Sequence, residues 1–482
     1  YISWSGLTDR TYNARLLPAK PPNGQGIGTS WPPLQATAAL FARLPGTNQR
    51  LCPKSTGLFP AFAQYLTDGF IRTMLHNDDD KEDRRRTTSN HEIDMSPLYG
   101  RTEAQTRALR AGTGGRLKSQ VINGEEYSPF LFGADGNVKP EFVILDLPLG
   151  LKNVTPAGKA TLFAVGGDRV NAVPQTAMMN TLFLREHNRL TGQLAAKNQT
   201  WDDDRLFETA RNIVIVMFIK IVVEEYINHI NTTEFPLQAD PKVAWRAKWN
   251  RPNWMTVEFS LLYRWHGLVM ENVTWGDKAH PGNSLLLNNS LLIGSGLAQS
   301  FVNTSANRTA TLGLENAASF MMFAETGAIN QARINNVASY NDYRLAMGME
   351  PARNFAAIVG SSDTPAEQAR LSALAKRLEG LYGDVNNVEY YIGLFAERVE
   401  KNGPLPELVS SMVAMDAFSQ ALTNPLLSEH VWGNPANKRL AFTEEGIKVI
   451  EDTRRLRDIV DRNAKGLGNA FVGMTRKEWK RS

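Results

Sequence analysis

Apolar residues recur at helical spacing through most of the chain after residue 58. In "LFPAFAQYLTDGFIRTML", Phe59, Phe62, Ala63, Leu66 and Phe70 follow the steps of three and four that mark one helix face. "RTEAQTRALRAGTGG" carries a capping-box pattern, Thr102 to Gln105, and a glycine stop at Gly112. From Thr176 two long helices are predicted, "TAMMNTLFLREHNRLTGQLAAKN" and "DDDRLFETARNIVIVMFIKIVVEEYINHI". The second is β-branched in its middle, but Leu206, Ala210, Ile213 and Met217 keep the helical step, and burial overrides the weak propensity. Further helices fit about 257–270, 315–330, 364–380 and 387–401. Residues from about 115 to 175 are loop-rich with short strand-like pieces. Residues 1–60 hold the Pro- and Gly-rich "LLPAKPPNGQGIGTSWPP" and read as an extended arm lying on a body. "NDDDKEDRRR" reads as a solvated loop. No repeat, low-complexity tract or linker divides the chain. The pattern predicts a mainly α fold in one large domain, 1–482.

Composition narrows the function. Hydrophobic residues are 42% and charged residues 21%, an ordinary globular balance. A formal charge of +4, spread along 482 residues, argues against a nucleic-acid footprint. The longest apolar run, Ile213–Ile219, stops at Lys220, too short to span a bilayer; shallow peripheral membrane contact stays open. The one cysteine, Cys52, excludes an internal disulfide and fits a reducing compartment. With no secretory leader at the start, the cytoplasm or a peripheral membrane position is the favoured location. The oligomeric state is not legible.

The stretch "EFSLLYRWHGLV", Glu258–Val269, sets polar tips inside an apolar run, where each needs a partner. On a helix, Tyr263 and His266 would face the same way, with Cβ atoms roughly 5 to 6 Å apart. If His266 held an iron, the phenol would lie near the edge of the ring around that iron. The plainer reading is two satisfied core side chains, since partial burial is normal for both types.

The wider chain carries a family pattern. The segment Tyr263-Arg264-Trp265-His266 resembles the Tyr-x-Trp-His segment of the cyclooxygenases and its form in fungal linoleate dioxygenases, both of the animal-type haem peroxidase superfamily. "FAQYLTDGF" resembles the distal haem helix, "SNHEIDMSPLYG" the segment with the family's Asp and Tyr-Gly, and "TLFLREHNRL" its Arg-Glu-His-Asn signature. "YISWSGLTDRTYNARLLP", "YNDYRLAMGMEP", "LYGDVNNVEYYIGLFAE" and "FTEEGIKVIEDT" resemble further segments, in the same order. The growth-factor-like module and membrane-binding helices of animal cyclooxygenases do not appear, so the pattern is similar to a bacterial-type homologue.

The resemblance implies a haem peroxidase (cyclooxygenase-like) catalytic domain. It implies His266 as proximal iron ligand, Tyr263 as the radical-forming tyrosine and Gln64 on the distal side. Trp265, Leu262, Phe259 and Phe70 would line the substrate cavity, with Tyr391 a second oxidisable phenol nearby. His187, in the signature, is read as structural. Arg169, in "GGDRVNAVP", falls where peroxidases carry a catalytic arginine, and would polarise peroxide or anchor a propionate. Thr67 and Ala172 stand where other members esterify the haem, so non-covalent haem b is expected.

Two departures matter. Members that reduce peroxide place a histidine four residues after the glutamine; here that residue is Asp68. Distal histidine moves the peroxide proton, and aspartate can do so only with a raised pKa. Asp68 is thus either a shifted acid–base group or a site without catalysis, and weak peroxidase activity is expected. The calcium loop reads Asn90, Glu92, Asp94, Ser96, but Gly69 replaces one oxygen ligand, which disfavours calcium.

The implied reaction is oxygenation of an unsaturated fatty acid. Peroxide would activate the haem, a Tyr263 radical would remove a hydrogen atom, and O2 would add to give a hydroperoxide or endoperoxide. The alternative is a haem peroxidase oxidising small phenols or halides.

Overall fold

The computed structural model describes residues 12–20, 31–74, 85–251 and 253–481. The first residues of the N-terminal motif and most of the charged 77–86 loop lie outside these. The fold is mainly helical, and one contiguous hydrophobic core runs from Ala38 to Met474. Strands occur only as two-stranded antiparallel pairs among the described residues.

At the centre, the helices Pro174–Lys197 and Asp203–Ile221 pack on each other. Pro174 opens the first, where its missing N–H costs nothing. Asp202 caps the second, its side chain accepting from Arg205 N. The second helix continues through a π-helical segment, Val222–Ile227, before closing at Asn228–Ile230. Such segments recur at functional sites, and this one carries Tyr226. The helix Leu58–Asp68 crosses Pro174–Lys197 and buries Phe59, Phe62 and Leu66. Thr102 caps Glu103–Leu109, accepting from Gln105 N. Gly112 sits in the turn that follows, at φ +74°.

The expected 1–60 arm is only partly one. Leu34–Ala38 is a helix, Leu40 and Phe41 lie in the core, and Leu51–Thr56 is a strand paired antiparallel with Arg308–Ala310. Leu51 pairs with Ala310 and Thr56 with Arg308, so the strand depends on a partner remote in sequence that the local proline-rich pattern does not reveal. No helix among the described residues is long and apolar enough to cross a membrane.

Candidate functional site

Thr256 caps a short helix, Val257–Leu262, by accepting from Phe259 N. The predicted helix to residue 270 is not formed. Tyr263 is the C-cap, Trp265 leaves helical space at ψ 44°, and His266–Leu268 is a 3-10 turn. Tyr263 and His266 therefore do not share a helix face. The reason is aromatic packing. On a continuous helix Tyr263 and Trp265 would diverge; off it, their rings stack at 4.5 Å with 22° between planes, and both are buried. The Arg264 guanidinium closes the turn by donating to Thr73 Oγ1 at 2.8 Å and Ser260 Oγ at 3.2 Å.

The expected cavity residues gather around Tyr263. Phe259 lies 4.8 Å away by ring centroids, Phe70 is 6.3 Å from Phe259, and Phe59 is 5.7 Å from Trp265. Leu262 is fully buried beside them. A phenol that touches Tyr263 directly is Tyr226, whose Oη donates to Tyr263 Oη at 3.5 Å, while the Tyr391 hydroxyl reaches the carbonyl of the adjoining Arg264 at 3.4 Å. Burial holds the Tyr263 phenol well above its ordinary pKa, so it is neutral at physiological pH. The Tyr391 hydroxyl also donates to Glu325 Oε2 at 2.6 Å.

His266 is partly exposed. Its Nδ1 faces Glu325 Oε2 at 3.5 Å, and its Nε2 makes no hydrogen bond to a described residue. The histidine of the Arg-Glu-His-Asn signature is engaged elsewhere. His187 uses both nitrogens, Nδ1 on Tyr99 Oη and Nε2 on the Gly115 carbonyl, each at 2.9 Å. The flanking signature charges pair internally, Arg185 with Glu125 and Glu186 with Arg189 and Arg462.

Gln64 and Asp68, four residues apart, lie on one face of the Leu58–Asp68 helix. Gln64 is half-buried, and its amide makes no hydrogen bond to a described residue. Asp68 is fully buried, facing Arg72 Nε at 3.5 Å and Arg169 N at 3.4 Å. Burial pushes Asp68 up to about 7 against the pull of Arg72, while Arg169 and Arg72 outweigh burial and hold Asp168 below its usual value. The Arg169 guanidinium is engaged with Asp168 Oδ1 at 2.8 Å. Arg72, itself buried, also reaches Asp146 and Asp168.

The glycines of "GGDR" explain themselves here. A Cβ on Gly167 would fall 2.0 Å from Asp68 Oδ2, and one on Gly166 2.2 Å from the Ser96 carbonyl. Gly167→Ala is expected to displace Asp68 and destabilise the fold by about 1–3 kcal/mol. An unchanged denaturation midpoint would contradict that packing.

In the Asn90–Ser96 loop, Asp94 Oδ1 accepts from Ser96 N at 2.9 Å and Oδ2 from Asn90 Nδ2. Beside it opens a polar cleft of about 440 Å³, lined by Asn90, Glu92, Asp94, Glu208, Arg211 and Asn424 among others, away from Tyr263 and His266.

Sequence reasoning missed Tyr226, Glu325 and Arg72. Tyr226 sits in a helix whose apolar face already explained it. Glu325, in "MMFAETGAI", offered only a lone acid among apolar neighbours.

The animal haem peroxidase family model matches residues 59–471. Prostaglandin G/H synthase 1 of Rattus norvegicus is 30% identical over 440 residues, 90% of this chain and 68% of that protein. Prostaglandin G/H synthase 2 of Oryctolagus cuniculus is 31% identical over 481 residues, 97% of this chain and 73% of that protein. Among solved structures, peroxidase A from Dictyostelium discoideum superposes with TM-score 0.73 at 17% identity, covering 97% of this chain and 96% of its own. The Oryza sativa fatty acid alpha-dioxygenase does so with TM-score 0.72 at 16% identity, covering 94% and 81%. The chain belongs to the animal haem peroxidase family.

Proposed function

We propose that the protein is a haem-dependent dioxygenase of unsaturated fatty acids that works through a radical on Tyr263. The observation that carries this reading is a buried, neutral phenol three residues before a histidine whose Nε2 has no described protein partner. The prostaglandin synthase relatives support it.

The residues fit a non-covalent haem. His266 offers a free Nε2 with its other nitrogen backed by a carboxylate, the usual dress of a metal-binding imidazole. Gln64 offers an unengaged amide on the distal helix. Haem bound there would supply one-electron oxidising chemistry, with peroxide as activator.

The chain's own residues do the rest. Tyr226 orients the Tyr263 hydroxyl, and Phe59, Phe259 and Trp265 wall it from water. As a phenoxyl, Tyr263 takes a hydrogen atom from an allylic or bis-allylic carbon. O2 adds to that carbon, and the peroxyl takes the hydrogen back from Tyr263. The balance is one C–H and one O2 converted to one C–O–O–H, with the tyrosyl regenerated.

Although burial raises it, Asp68 is only 1% exposed and is turned onto Arg72 Nε and the Arg169 backbone N–H, so we read it as their anchor rather than as a group placed to take a peroxide proton. Without a distal base, peroxide-driven guaiacol oxidation should run about 10²–10⁴-fold below that of a histidine-bearing relative. Asp94 reads as structural, because both of its oxygens already accept protein donors.

The test is oxygen uptake by haem-loaded protein with a panel of unsaturated fatty acids, followed by mass analysis. A product two oxygen atoms heavier, or four for an endoperoxide, is expected. Guaiacol turnover with no fatty-acid oxygen consumption would favour the small-substrate peroxidase instead.

A further inference from the structure

Glu325 stands in the helix Met322–Ile334 with 1% of its surface exposed, and among the described residues no Arg or Lys pairs with it. A buried carboxylate needs donors. Tyr391 supplies one at Oε2, 2.6 Å away. The other group in reach is His266 Nδ1, 3.5 Å from the same oxygen, and neither that nitrogen nor Glu325 Oε1 has a hydrogen-bond partner. An imidazole with its Nδ1–H toward a carboxylate carries its lone pair on Nε2. Three groups from three elements thus converge: a phenol from Tyr390–Ala396, a carboxylate from Met322–Ile334 and an imidazole from the turn His266–Leu268.

We propose that Glu325 is the positioning residue of the proximal histidine: its carboxylate, shared with the Tyr391 hydroxyl, holds His266 as the Nδ1–H tautomer and strengthens Nε2 as a donor to the haem iron. The inference rests on His266 being the iron ligand. Tyr391 then acts as a moderator, since each hydrogen bond it makes to Glu325 withdraws charge from the imidazole.

The two partners should therefore shift the iron in opposite directions. Haem-loaded Glu325→Gln loses the anionic acceptor. Its ferric/ferrous potential should move upward, its ferrous iron–histidine stretch should fall in frequency, and haem should bind about 10- to 100-fold more weakly. Tyr391→Phe releases the carboxylate to the imidazole, so its potential should move downward and its stretch rise. Glu325→Asp, which keeps the charge, should return the potential part of the way. A general loosening of the pocket would not produce opposite signs. Shifts of the same sign, or no shift in either variant, would overturn the inference. If Glu325→Gln takes up no haem, Tyr391→Phe decides alone: a downward potential upholds the inference and an unchanged one sinks it. His266→Ala separates the two levels of the argument. If its haem spectrum matches the wild type, the ligand assignment itself fails. If that spectrum is lost while both proximal variants stay unshifted, only the role of Glu325 fails.

Discussion

Replacing His266 by alanine is expected to abolish stable haem binding and, with it, all oxygen uptake. The imidazole is the one described histidine with a free Nε2 beside a carboxylate-backed Nδ1. His187, the other histidine that a motif search would select, has both nitrogens engaged at 2.9 Å. His187→Ala should instead leave the haem spectrum in place and lower stability by about 1–3 kcal/mol, because Tyr99 Oη and the Gly115 carbonyl lose a buried partner. Titrating haem into both variants by absorption checks the contrast. Retained Soret absorbance in His266→Ala, or its loss in His187→Ala, would reverse the assignment.

Tyr263→Phe should remove fatty-acid oxygenation while leaving the haem spectrum intact. The substitution deletes one hydroxyl and keeps the ring that stacks on Trp265 and Phe259. The lost hydrogen bond to Tyr226 is long, at 3.5 Å, so the fold should tolerate it. The effect thus isolates the O–H bond that the radical chemistry requires. Oxygen uptake is expected to fall by at least the 10²–10⁴-fold typical of losing a group that takes part in proton or hydrogen transfer. Uptake unchanged in the variant would rule the tyrosyl route out. Tyr226→Phe, which keeps Tyr263, should retain activity with altered product distribution, as the orienting contact is lost.

Much of this fold is legible in the sequence. The helices Pro174–Lys197 and Asp203–Ile221 are legible from their long runs without an internal proline and from the helical step of Leu206, Ala210, Ile213 and Met217, although both are buried on most of their surface. What failed did so where distant contacts overrode local pattern. The run Glu258–Val269 looked continuous, but burying Tyr263 and Trp265 together required leaving the helix. The strand Leu51–Thr56 was hidden by its proline-rich surroundings and its remote partner. Glu325 was invisible for a similar reason: its meaning comes from Tyr391 and His266, each on another element. Asp68 stands out as a departure from a motif with Arg72 four residues on, but its Arg169 partner, 101 residues away, appears only in three dimensions.

The most direct test is electron paramagnetic resonance on haem-loaded protein mixed with peroxide and frozen, with and without an unsaturated fatty acid in the absence of oxygen. The account predicts a tyrosyl signal that is absent from Tyr263→Phe and is replaced by a carbon-centred lipid radical when the fatty acid is added. A tyrosyl signal that persists in Tyr263→Phe, or one that the fatty acid leaves untouched, would contradict it.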